Sequence, residues 1–101
     1  MATFELGPQD ALAFEHAPPA TANGLTFVFV NAITGDIAQW RAVGERLRGA
    51  GHGTLAWNFR GQAGSRFAPG TRLDLPLIVG DLRRLLDGLR PARPEIGRAH
   101  V

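Results

Sequence analysis

Two kinds of apolar spacing alternate along the chain and divide it into elements. Leu25-Thr26-Phe27-Val28-Phe29-Val30 is apolar almost throughout and rich in β-branched and aromatic side chains, which fits a strand covered on both faces. That predicts a parallel strand inside an α/β layer structure. From Ile37 the spacing changes. Ile37, Trp40, Val43 and Leu47 recur every three or four residues, with Arg41, Glu45, Arg46 and Arg48 on the other faces, so this segment reads as a helix with one apolar side. Asp36 followed three places on by Gln39 resembles a capping box at its start, and Gly49-Ala50-Gly51 ends it. Thr54 to Asn58 returns to strand, which makes a βαβ unit, right-handed in almost all proteins.

The flanks are simpler. Thr3 to Leu6 and Ala11 to Glu15 are short mixed segments separated by the turn residues Gly7-Pro8-Gln9-Asp10, and they read as a β-hairpin. Ala17 to Gly24, rich in Pro and small residues, is a surface connection. After Asn58 comes a Gly-rich loop, Phe59 to Thr71. Asp74 can then cap a last helix with Pro76 in its first turn. Leu75, Ile78, Val79, Leu82, Leu85, Leu86 and Leu89 give that helix an unbroken apolar stripe, stopped by Gly88 and Pro91. The pattern shows no third strand after it, so Leu25–Val30 is expected to keep an open hydrogen-bonding edge or an uncovered face.

Composition narrows the class. The 101 residues fit one small domain or a piece of a larger one, and 45% hydrophobic with 20% charged residues is ordinary for a globular chain. The sequence pI of 11.0 would ordinarily point to nucleic acid. Here it follows from the absence of Lys, Tyr and Cys, which leaves nothing but Arg to titrate at high pH. Residues 1–89 hold eight Arg against eight acids, so the body is neutral and lacks a basic face for phosphate backbones. No nucleic-acid partner is expected. The longest apolar run is too short to span a membrane, and no signal peptide is visible, so the cytoplasm is the expected location. Zero Cys excludes disulfides and thiolate chemistry, and the three His, at 16, 52 and 100, lack metal-ligand spacing. No cofactor or metal is expected.

Several elements in order resemble the N-terminal third of the α/β-hydrolases, over residues 1 to about 90. They are Phe27-Val28-Phe29-Val30-Asn31-Ala32-Ile33-Thr34-Gly35, then Trp40, then Leu47-Arg48-Gly49-Ala50-Gly51-His52, then Asn58-Phe59-Arg60-Gly61-Gln62-Ala63-Gly64-Ser65, then Asp81-Leu82. The resemblance implies a three-layer α/β sandwich, here truncated. The strand at Thr54–Asn58 would lie between the hairpin and Leu25–Val30, the next strand would join on the far side of Leu25–Val30, and the two helices would cover opposite faces. It also implies a hydrolase acting on an ester, amide or thioester, with a serine on a Gly-x-Ser-x-Gly elbow, an acid and a His. None of those three lies in this chain, so the chain alone should be inert, and its substrate, a small acyl compound, would be that of the full-length parent.

The one catalytic element the resemblance places here is part of the oxyanion hole, in the loop after the first parallel strand. Asn31 stands where the family commonly has His and Ala32 where it has Gly, and the backbone N–H of Ile33 would be the donor. Asn31 also reads as an ordinary strand-end turn residue. Asn58 replaces the family's Asp, and Gln62 and Ala63 its His-Gly.

The remaining polar residues read structurally. Ser65, the only serine, is not on an elbow, and its hydroxyl suits tying down loop backbone. Arg60 suits pinning carbonyls or a carboxylate, and Trp40 and Trp57 suit helix-to-sheet packing. His52 at a helix-to-strand turn and His16 at the hairpin's end do not look catalytic. Asp81 beside Arg84 reads as a helical ion pair.

Two other functions fit the same residues. Asn31 to Gln39 can be taken as an anion site at a helix N-terminus, in a small Rossmann-like binding module, although neither the dinucleotide nor the P-loop fingerprint is present. The chain can also be a complete interaction domain that covers an unpaired strand edge by self-association. Finally, Glu95-Ile96-Gly97-Arg98-Ala99-His100-Val101 matches the translation of a widely used sequencing adapter, through codons GAG, ATC, GGA, AGA, GCA, CAC and GTC. Residues 91–101 are therefore expected to be a non-native or disordered tail. Eleven Arg with no Lys further suggests GC-rich bacterial DNA.

Overall fold

The computed structural model describes residues 2–32 and 35–98. A single mixed sheet carries the fold: β1 (Ala2–Gly7), β2 (Asp10–Ala17), β3 (Thr26–Val30), β4 (Gly53–Asn58) and β5 (Pro94–Arg98), in the order β1-β2-β4-β3-β5. A 3-10 turn (Ile37–Trp40) leads into α1 (Arg41–Gly49), and α2 (Leu75–Leu89) precedes β5. β1 and β2 form the expected hairpin around Pro8-Gln9, with Gly7 paired to Asp10. β4 slots between β2, antiparallel, and β3, parallel, as the resemblance implies.

Strand alternation decides which helix each residue meets. Val28, Leu55 and Trp57 join Leu12 and Leu85 in one fully buried cluster, packed by Ile78, Leu82, Leu86 and Leu89 of α2. The neighbours Phe29 and Ala56 point the other way and pack with Ile37, Trp40 and Leu47. The helices thus cover opposite faces of the sheet. β3 and β4 read as continuous apolar runs because both their faces are covered.

The helix signals act as written, with adjustments. Asp36 caps the 3-10 turn by accepting from the Ala38 N–H at 2.9 Å, and Asp74 caps α2 by accepting from the Leu77 N–H at 3.0 Å. Gly51, at φ 93°, reverses the chain after α1, a conformation that costs other residues more. Gly88 does not stop α2, which runs to Leu89 and ends on Arg90 in the left-handed region at φ 48°. The apolar stripe of α2 is also not wholly buried: Leu75 is 71% and Val79 57% exposed.

The main correction concerns the chain after α2. β3 is not left with an open edge, because residues 94–98 form a strand parallel to it, in register along its whole length. Sequence pattern misses β5 because side-chain burial does not hold it: Pro94, Glu95 and Ile96 are all exposed. The hydrogen bonds are main-chain ones, such as Thr26 N–H to the Arg93 carbonyl at 3.2 Å. β5 occupies the side of β3 where the resemblance puts the next strand, so the architecture is unchanged by its presence. Ala99, His100 and Val101 lie outside the described residues.

Candidate functional site

The loops after β3 and β4 meet at the C-terminal ends of these two parallel strands, where open α/β sheets bind ligands. Three buried side-chain amides join them. Asn31 is 7%, Asn58 2% and Gln62 8% exposed, so each amide needs partners inside the protein. Asn31 Nδ2 donates toward the Trp57 carbonyl (2.8 Å), Asn58 Oδ1 (2.9 Å) and Gln62 Oε1 (3.0 Å), so two hydrogens serve three acceptors. Its Oδ1 accepts from Trp40 Nε1 at 2.6 Å, and the Trp40 ring stacks on Phe29 at 4.5 Å. Asn31 is therefore a hub rather than a plain turn residue.

Gln62 holds the loop after β3. Its Nε2 donates to the carbonyls of Ala32 (3.0 Å) and Gly35 (2.7 Å), and its Oε1 accepts from the Phe59 N–H at 3.1 Å. The Gly35 N–H closes a turn onto the Ala32 carbonyl at 2.9 Å. Asn58 Oδ1 accepts from the Ile37 N–H at 2.9 Å, and its Nδ2 donates to the Ala63 carbonyl. Ile33, the donor named from the resemblance, and Thr34 lie outside the described residues. Asn31 and Ala32, the other two residues named with it, both belong to the network, Asn31 through its side-chain amide and Ala32 through its carbonyl.

That network answers the anion-site alternative. The N–H groups of Ile37, Ala38 and Gln39 bond to Asn58 Oδ1, Asp36 Oδ1 and the Asp36 carbonyl. They are engaged, and two of their acceptors belong to an acidic residue, which would repel an anion.

Below the amides lies an ion cluster. Gly61, at φ 95°, turns the chain so that Arg60 points inward while Gln62 faces the loop. Arg60 grips Asp81 with Nε and Nη2, each at 2.8 Å, and reaches Asp10 at 3.2 Å. The hydrogen bond to Asp81 raises the Arg60 pKa above its ordinary value, against desolvation. Arg60 is thus structural, as its sequence context indicates. The expected Asp81–Arg84 pair is replaced: Asp81 faces Arg60, and Arg84 donates to the Leu6 carbonyl at 2.8 Å. The i+3 spacing gave a local partner, but α2 turns Asp81 toward the core, where a buried carboxylate requires a cation.

Ser65 ties loop to sheet, accepting from the Ala13 N–H at 2.9 Å and donating to the Asn58 carbonyl. Both its hydrogen-bonding roles are filled, and among the described residues no imidazole is its partner. His52 Nδ1 accepts from the Leu25 N–H at 3.0 Å, at the opposite end of β3. His16 pairs across strands with Leu55. Trp57 is buried in the core. Among the described residues no group of three His, Cys, Asp or Glu can hold a metal, and no helix is long and apolar enough to cross a membrane.

Sequence reasoning did not foresee the roles of Asn58 and Gln62. The available signal was that three positions where the resembled pattern carries His, Asp and His all carry amides.

No protein-family model matches the chain, and no curated protein does. Solved structures do match its fold. An α/β-hydrolase enzyme from a Medee basin deep-sea metagenome library is 21% identical, with a TM-score of 0.80 over 96% of this chain and 34% of that one. A hydrolase from Pseudomonas aeruginosa is 22% identical, with a TM-score of 0.78 over 96% and 35%. The enol-lactonase from Burkholderia xenovorans is 22% identical, with a TM-score of 0.74 over 88% and 34%. The chain spans about a third of the length of these proteins. Its fold is that of the N-terminal part of an α/β-hydrolase.

Proposed function

We propose that this chain is the oxyanion-binding portion of a serine hydrolase that cleaves a small ester, amide or thioester by Ser–His–Asp acyl transfer. The observation that carries the reading is the loop after β3, tied by Gln62 at Ala32 and Gly35 at the end of the sheet where this fold performs its chemistry. In the sequence Ile33 falls between those two residues, and its N–H is the proposed donor to the developing oxyanion. One well-aimed donor of this kind is worth about 3 kcal/mol in the transition state. A backbone donor tolerates the changes at Asn31 and Ala32, because the amide dipole rather than a side chain meets the charge.

In this reading nucleophile, acid and base are supplied by sequence beyond this chain, and the 101 residues alone turn over no ester. Residues 91–101 then lie outside the hydrolase domain. They nonetheless supply β5, which takes the place of the next strand beside β3 without burying a side chain of Pro94, Glu95 or Ile96. Codons other than those given above at positions 95–101 would refute the adapter origin. The function is tested by extending the reading frame with the genomic sequence that follows Leu89. The longer product should react with a fluorophosphonate probe and hydrolyse p-nitrophenyl esters, while the 101-residue chain does neither. A longer product with a further strand but no reactive serine would overturn the proposal.

A further inference from the structure

The connection from α2 to β5 is the strained part of this backbone. Arg90 has φ 48° and Arg93 φ 44°, whereas the other left-handed residues among those described, Gly51, Gly61, Gly64 and Gly70, are all glycines. A side chain in that region is disfavoured at each position. The hinge of residues 90–93 is therefore short and holds two arginines in a conformation that suits glycine.

The strand it delivers is lightly seated. β5 pairs with all five residues of β3, but Pro94 and Glu95 are exposed and Ile96 is 61% exposed. Leaving β3 costs β5 main-chain hydrogen bonds and little apolar burial. The same bonds can be made to the β3 of another molecule, so a second copy can restore all of them while the hinge straightens. Short strained hinges favour this kind of exchange. Ile96 pairs with Val28, which puts it on the α2 face of the sheet.

We propose that two copies of this chain exchange β5, each copy's Pro94–Arg98 pairing in parallel with Thr26–Val30 of the other. The driving feature is release of the two left-handed arginines in each hinge, and it operates whatever the genetic origin of residues 95–101.

The test is sedimentation of the 101-residue chain from about 10 µM to about 1 mM, the range in which tethered and free strands compete. A reversible monomer–dimer equilibrium is expected. The double variant Arg90→Gly, Arg93→Gly relaxes the closed hinge and stays folded, because glycine accepts positive φ. It should raise the dimer dissociation constant by about a hundredfold, four relieved residues per dimer at several-fold each. A chain that is monomeric at every concentration overturns the proposal. So does a dimer whose dissociation constant the glycines leave unchanged, which would be pairing of two intact β5 edges instead.

Discussion

Replacing Asp81 by Ala should unfold this domain more readily than any surface change. The substitution leaves the Arg60 guanidinium, 8% exposed, without its two-point partner. Removing one member of a buried ion pair costs about 3–5 kcal/mol. Asp10 remains at 3.2 Å from Arg60 Nη1, but it is partly exposed and also accepts from the Ala68 N–H, so it compensates incompletely and the lower end, about 3 kcal/mol, applies. A domain of this size has about 5–15 kcal/mol in total, and its Tm falls about 4–8 °C per kcal/mol, which gives a drop of about 12–24 °C. Urea unfolding followed by the fluorescence of buried Trp57 measures it, with the midpoint falling and the slope unchanged. The companion variant Arg60→Met, Asp81→Leu removes both charges and should lie within about 1 kcal/mol of the parent. A loss under about 1 kcal/mol in Asp81→Ala, or a double variant as weak as the single one, would refute the assignment of this pair.

Two further outcomes follow from single side chains. Burial lowers the His16 pKa below its usual 6.5, and its Nε2 is buried without a partner among the described residues. The unfolded chain therefore takes up the proton first as pH falls, so stability is complete above the unfolded pKa and declines as pH drops from about 6.5 toward the native value. His16→Gln should flatten that part of a urea-midpoint profile between pH 7.5 and 5, and an unaltered profile counts against it. Ser65→Ala orphans the Ala13 N–H and the Asn58 carbonyl and should cost about 1–3 kcal/mol in the same assay, with faster amide exchange at Ala13; exchange as slow as in the parent would show that the hydroxyl is not its partner.

Much of the fold was legible because burial on both faces writes itself into β3 and β4, and one-sided burial into α1. Turn and cap residues were legible for the same local reason: Asp36, Asp74 and Gly51 act on neighbours within a few positions. What escaped was decided at a distance. Asp81 finds Arg60 rather than Arg84 because α2 is rotated by its packing, which no i+3 rule contains. The Asn31, Asn58 and Gln62 amides meet only after the sheet brings two loops together. β5 carries no apolar pattern because main-chain bonds hold it, and those leave no mark on residue choice. The placement of Asn31 and Ala32 at the end of β3 was readable from the resemblance, whereas the clamp that Gln62 makes on Ala32 and Gly35 was not.

The insertion of β4 between β2 and β3 also dictates a schedule for the nascent chain. Ala13 must wait for Asn58 and Phe27 for Thr54, so both earlier strands leave the ribosome before the strand that separates them exists. During that interval β2 and β3 can meet each other, a non-native pairing that must be undone before β4 enters. Slow synthesis between Val30 and Gly53 would lengthen the hazard, whereas rapid translation of that stretch would shorten it.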